Sequence, residues 1–97
     1  MAVSFEWNPD KAIANVRKHR VSFELASLVF ADPFAVTEQD RIEGGERRWR
    51  TIGMARGTLL LLVAHTIRDE VDGEIIRIIS ARPATRPERK RYEEEAR

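Results

Sequence analysis

Apolar residues recur along this chain with two different periods, and the change from one to the other falls near Phe34. Val3 to Trp7 alternates apolar and polar positions and predicts a short first strand. Asn8 then offers an N-cap, Pro9 suits the first helical position, and Asp10 sits where the helix dipole favours an acid. A helix is expected from about Pro9 to His19. Its apolar stripe is Ala12, Ile13 and Val16, which leaves Lys11, Asn15 and Lys18 nearer the edge. Ser22 restarts the chain as the cap of a second helix reaching about Phe30, with Val21 and Ala26 spaced as a hydrophobic staple, and Asp32-Pro33 stops it.

Beyond Phe34 the period is that of strands, expected near Phe34 to Glu38, Arg47 to Ala55, Thr58 to Arg68 and Glu74 to Arg82. Gly44-Gly45, Arg56-Gly57 and the stretch Asp69 to Gly73 are short connections, so these strands should pair as an antiparallel meander. In the last strand Ile76, Ile78 and Ser80 alternate with Arg77 and Ile79. Thr85 and Glu88 then form a T-x-x-E capping box that opens a C-terminal helix. The fold class is α+β, with two helices over one face of the sheet.

With 97 residues the chain fits a single compact domain, expected over 1–97. A content of 42% hydrophobic and 34% charged residues argues against disorder. Thr58 to Thr66, the most apolar run, is about half of the ~20 residues a membrane-crossing helix needs. Met1 to Trp7 lacks the basic start and apolar stretch of a signal peptide. The absence of cysteine excludes disulfides and thiolate chemistry and is compatible with the cytoplasm. No phosphate-cradling glycine motif and no metal-spaced histidine pair is present, so no nucleotide or metal cofactor is expected.

Charge changes the picture more than composition does. Arg77 to Tyr92 holds six of the seventeen Lys and Arg residues against one acid, Glu88, although the whole chain is only +1. The rest is therefore acidic, and the run points to a polyanion. Arg82 stands where the strand ends and the helix begins, a place from which a guanidinium can address a phosphate. A solvated basic helix behind a core strand explains the same run.

The blocks FEWNPDKAIANVRKHRVSFELASLVF at Phe5 to Phe30, RRWRTIGM at Arg47 to Met54, and IRIISARPATRPERKRYE at Ile76 to Glu93 resemble the BrnT family of toxins. The phrase I-I-S-A-R followed by A-T-R-x-E-R-x-x-Y is its most specific part. The resemblance implies a small RelE-like domain, ribonuclease activity in a bacterial type II toxin-antitoxin pair, RNA as substrate, and a BrnA-type antitoxin as partner, with DNA reached only through that antitoxin and no membrane involved. Two positions depart from the family pattern. Arg20 replaces a glycine, which makes a left-handed backbone costlier there, and Pro83 replaces a frequent lysine, which removes one phosphate contact.

Metal-independent RNA cleavage needs a base at the ribose 2′-hydroxyl, an acid at the leaving 5′-oxygen and fixed positive charge at phosphorus. Arg82 matches the arginine that closes the family's I-S-A-R strand and suits charge developing on phosphate oxygens. His19 and His65 are the only histidines, and imidazole exchanges protons near neutrality. His19 can equally satisfy free carbonyls at a helix end, and His65, in line with Val63 and Ile67, can be a hydrogen-bonded core residue. Glu24 could orient His19 or act as base, or serve only the dipole of its helix. Tyr92 falls in the last helix, where RelE-like toxins place a functional aromatic. Lys18, Arg77, Arg86 and Lys90 are candidate supporting cations for RNA, although Lys and Arg on exposed helix ends ordinarily meet only solvent, and Trp49 could stack on an unpaired base or belong to the core. A non-catalytic nucleic-acid-binding regulator and a degenerate toxin kept for partner binding are the competing readings.

Overall fold

The computed structural model describes residues Ala2 to Glu95, so Met1, Ala96 and Arg97 lie outside the described residues. Strand β1 (Ala2–Glu6) leads to helix α1 (Pro9–His19), helix α2 (Phe23–Ser27) and a 3₁₀ turn (Leu28–Ala31). Strands β2 (Val36–Glu43), β3 (Glu46–Ala55), β4 (Leu59–Glu70) and β5 (Gly73–Pro83) follow, then helix α3 (Arg86–Glu95). The expected meander forms, and β1 adds to its far side parallel to β5, giving the order β1-β5-β4-β3-β2. The architecture is thus a small α+β domain with a mostly antiparallel five-stranded sheet.

The local signals act as their chemistry demands. The Asn8 side chain accepts the Asp10 and Lys11 amides, and Ser22 Oγ accepts the Leu25 amide at 3.0 Å. The Thr85 amide donates to Glu88 Oε1 at 2.9 Å, one half of the capping box. Arg20 takes the left-handed conformation expected of the glycine it replaces, with φ 60° and ψ 28°, and its N–H reaches Val16 O at 2.8 Å. The second helix is shorter than expected: it tightens into the 3₁₀ turn after Ser27, which brings Asp32 to the edge of β3. Gly53 permits this, because a Cβ there would stand 2.7 Å from Val29 Cγ1.

The predicted stripe of α1 is corrected. Ile13 and Val16 are exposed, whereas Asn15 is buried. The reason lies in the sheet. Its amide holds the free edge of β5 as a neighbouring strand would, Nδ2 donating to Ala81 O at 2.8 Å and Oδ1 accepting the Ala81 amide at 3.1 Å, while Nδ2 also donates to Val21 O. Ala12, Asn15 and His19 therefore form the inward face of α1.

The main core lies between the sheet and the N-terminal helices, with Val21, Phe23, Ala26 and Val29 packed on Leu61, Val63, Ile76, Ile78 and Ala81. A smaller cluster on the opposite face joins Ile52, Leu60 and Leu62 to Tyr92 of α3. One irregularity decides what each face carries. His65 pairs with Ile78 but Ala64 pairs with Ser80, so Ile79 is an extra residue in β5. The alternation expected of Ile76, Ile78 and Ser80 breaks at this bulge, and Ala81 takes the core position.

Candidate functional site

Because of the bulge, Arg77 and Arg82 share one face although they are an odd number of residues apart. Arg77 pairs with Thr66 and Arg82 with Leu62, both on the side away from the N-terminal helices. Across β4, the β3 residues Arg48 and Arg50 point the same way by strand alternation. Between the two strands the floor is small, made of Ala64 and Thr66 on β4 and Ser80 on β5. Four arginines thus frame a shallow bed with a floor of small side chains, and Arg68 of β4 points the same way beyond Thr66, where it meets Glu6 at 3.3 Å.

Each of them is held from outside by a carboxylate. Arg82 meets Glu88 of α3 at 2.8 Å, Arg50 meets Glu38 of β2 at 2.8 Å, Arg48 meets Glu43 of β2 at 3.5 Å, and Arg77 meets Glu6 of β1 at 3.7 Å. Glu38 also receives Arg91 from α3. Such partly exposed pairs add little stability, so their main effect is to fix where the guanidinium groups stand. Arg48 Nε is the one buried side-chain polar atom among the described residues with no hydrogen-bond partner. An unmade bond of this kind costs about 1–3 kcal/mol.

The rim beside β5 carries His19, the partly exposed one of the two histidines. His19, Lys18 and Lys11 line a shallow cleft with Asn15, Ile79 and Ser80. Ser80 belongs both to this cleft and to the arginine bed, so the two adjoin. The grip of Asn15 on Ala81 sets α1 against β5 and thereby places His19 at this edge.

Other candidates fall elsewhere. His65 is fully buried on the helix side, where Nε2 lies 2.7 Å from Thr51 Oγ1 and the ring meets Phe30 edge-on at 4.9 Å. Burial depresses its pKa to about 4. It is a core residue that a polymer does not reach. Tyr92 is buried too, its hydroxyl donating to Asp32 Oδ2 at 2.6 Å. That carboxylate accepts the Met54 amide on Oδ2 and the Phe34 amide on Oδ1. Burial and the adjacent carboxylate raise the Tyr92 pKa to about 12. The expected functional aromatic is therefore a clamp for α3 and offers no free ring face to a base. Glu24 is exposed on α2, in the layer covering the other face. Trp49 also lies on the helix side, half-buried beneath the Arg47 guanidinium at 5.9 Å. Arg86 and Lys90 are exposed on α3. Sequence reasoning passed over Arg48, Arg50, Ser80 and Lys11, although the spacing in Arg48-Trp49-Arg50 already separates two arginines from the tryptophan.

Among the described residues no three His, Asp or Glu groups come together to hold a metal ion, and no helix is long and apolar enough to cross a membrane.

Comparison with known proteins agrees with this architecture. The crystal structure of the Brucella abortus ribonuclease toxin, BrnT, superimposes with a TM-score of 0.59 over 88% of this chain and 100% of that one, at 20% identity, a likeness of fold. No curated protein sequence gives a significant match. The family model described as ribonuclease toxin, BrnT, of type II toxin-antitoxin system matches residues 7–88, most of the chain, and the protein therefore belongs to the BrnT family.

Proposed function

We propose that this chain is a metal-independent endoribonuclease that cuts RNA laid across the arginine bed, and that a BrnA-type antitoxin in the bacterial cytoplasm neutralises it. The observation that carries the reading is the frame of Arg48, Arg50, Arg77 and Arg82 around Ala64, Thr66 and Ser80, with each guanidinium steadied by a carboxylate from β1, β2 or α3. Phosphates fit such a bed because guanidinium donors match their oxygens in pairs.

In the reaction the ribose 2′-oxygen bonds to phosphorus as a base removes its proton. The bond from phosphorus to the 5′-oxygen breaks, and that oxygen takes up a proton, leaving a 2′,3′-cyclic phosphate and a 5′-hydroxyl. Arg82 stabilises the extra negative charge on the phosphorane from a fixed position. His19, at the edge beside Ser80, transfers protons. Arg48, Arg50 and Arg77 hold the backbone, and Lys18 extends the positive rim. The attacking group is the ribose 2′-hydroxyl, so RNA is the substrate and DNA is left to the antitoxin.

The test is incubation of the purified chain with single-stranded RNA in EDTA. Fragments ending in cyclic phosphate are expected, with an all-deoxy strand left intact. Binding should weaken with salt, with a log-log slope of about −3 for four phosphate contacts on a single strand. Activity that vanished with chelator and returned with magnesium would overturn the metal-independent reading.

A further inference from the structure

The face opposite the arginine bed carries a groove of contrary character. Its floor is the cross-strand row Phe5, Ile76 and Ile67. One wall is Leu28, Phe30 and Ala31 of the 3₁₀ turn, and the other is the row Val3, Glu74 and Asp69. Beyond Ile67 the hollow continues past Trp49 and Arg47 to Ile42. Val3, Leu28, Ile42 and Ile67 are all well exposed, Ile42 at 63%. Isolated apolar residues on a surface need no explanation, but a lined groove of them does.

The acids decide what kind of occupant it suits. Asp69 and Glu74 are directly opposite one another on adjacent antiparallel strands, an arrangement in which like charges repel. Among the described residues neither carboxylate forms an ion pair. The two carboxylates outnumber Arg47, the cation that lines the same hollow, and beside an apolar floor they repel phosphate and attract a cation attached to apolar side chains. Nucleic acid is thereby disfavoured on this face and a basic amphipathic protein segment is favoured. Five strands spaced about 4.8 Å apart make the groove roughly 19 Å wide, the length of about 13 helical residues.

We infer that this groove is the seat of the antitoxin, which lays an amphipathic helix across the strands with its apolar side chains on Phe5, Ile67 and Ile76 and a Lys or Arg over Asp69 and Glu74. The inference rests on the toxin reading for the existence of the partner, and it places partner and RNA on opposite faces of one sheet. Neutralisation then acts through bulk around the sheet's edges or through the sheet itself, since the seat does not cover Arg82.

The test uses the full chain and its co-expressed antitoxin. Ile67→Glu should weaken antitoxin binding at least about thirtyfold, the loss expected of an anchor residue. The pair Asp69→Asn with Glu74→Gln should weaken it about tenfold and flatten its salt dependence. Cleavage by the free chain at saturating RNA should stay within about twofold of wild type in both. Circular dichroism and thermal melting verify folding, and the neutralising pair, at a repulsive site, keeps the test open should Ile67→Glu unfold. Wild-type antitoxin affinity in folded variants would overturn the inference. Light scattering that showed the free chain to be a dimer broken by these variants, with antitoxin binding intact, would assign the groove to a second copy instead. Loss of RNA affinity with unchanged antitoxin binding would assign it to RNA. A wild-type chain that failed to cut RNA while the variants lost antitoxin would sink the nuclease reading and leave the seat standing.

Discussion

Arg82 and Glu88 form a two-point pair, Nη1 to Oε1 at 2.8 Å and Nη2 to Oε2 at 2.9 Å, and the same Oε1 accepts the Thr85 amide that opens α3. The proposed phosphate-binding arginine and the start of the last helix are therefore held by one carboxylate. The hydrogen bonds from Arg82 are the largest influence on its titration and bring it down to about 2, so it stays ionised wherever RNA is handled. Its contribution to stability is present above the ordinary carboxylate value and fades as pH falls through about 2.

Arg82→Ala should lower cleavage about a hundredfold while RNA affinity falls much less, as expected when a preorganised charge donor is lost. Arg82→Lys should remain impaired, because an ammonium cannot engage both Glu88 oxygens and a phosphate as a planar fork does. Glu88→Gln should retain α3, since an amide oxygen still caps Thr85, yet reduce cleavage by loosening Arg82. Single-turnover rates set beside RNA binding curves separate these outcomes, and a folded Arg82→Ala chain that cut at the wild-type rate would dismiss the assignment.

His19→Gln should remove most of the cleavage and flatten one limb of the pH-rate profile, leaving the circular dichroism spectrum unchanged. The substitution is mild because His19 is only partly buried on α1, whose attachment depends on Asn15. A profile with both limbs intact would move proton transfer to another group.

Tyr92→Phe should cost about 1.5–3 kcal/mol of stability, the range for a hydrogen bond to a charged group, without changing cleavage per folded molecule. Asp32→Ala should cost more, since the Met54 and Phe34 amides lose their acceptor along with the Tyr92 hydroxyl. Denaturant melts measure both, and a Tyr92→Phe variant with full stability and poor cleavage would restore a role at the RNA for the phenol.

Stability should fall as pH drops from about 6.5 to about 4. His65 titrates at about 4 in the folded chain against an ordinary value of 6.5, so the unfolded chain binds the extra proton within that window. The full span corresponds to on the order of 3 kcal/mol. His65→Gln, which can still hydrogen-bond Thr51, should lose most of this slope between pH 4 and 6.5. An unchanged slope would mean that other groups carry it.

Where the chain states its structure in short-range chemistry, the sequence reads correctly. Asn8-Pro9, Ser22 and the Thr85-Glu88 box each satisfy amides within three residues, so no tertiary knowledge is needed to see the helix starts they make. Strand periods and glycine turns likewise order β2 to β5 before any pairing is known. Asn15 reads wrongly for a physical reason: a polar side chain on a helix is ordinarily solvated, and only the unpaired stretch of β5 makes its amide worth burying. Asp32 looks like a helix stop, and its grip on Tyr92 spans sixty residues. The arginine bed stays hidden for a similar reason, since Arg48 and Arg50 meet Arg82 only through pairings across β4, and nothing in Ile78-Ile79 announces which residue will bulge.

That bulge ties the site to counting as much as to chemistry. In an unbroken strand, residues an odd number apart look in opposite directions, and Arg82 would turn into the core while Ala81 looked out at the bed. One supernumerary isoleucine reverses this for every residue after it, and so sets which side of the molecule the last helix starts from. Side chains along β5 can therefore be exchanged one at a time with local effects, whereas gaining or losing a single codon between Ile78 and Ser80 would swap inside for outside. Among sequences of this type, length across that segment should be held more strictly than the identity of the residue that fills it.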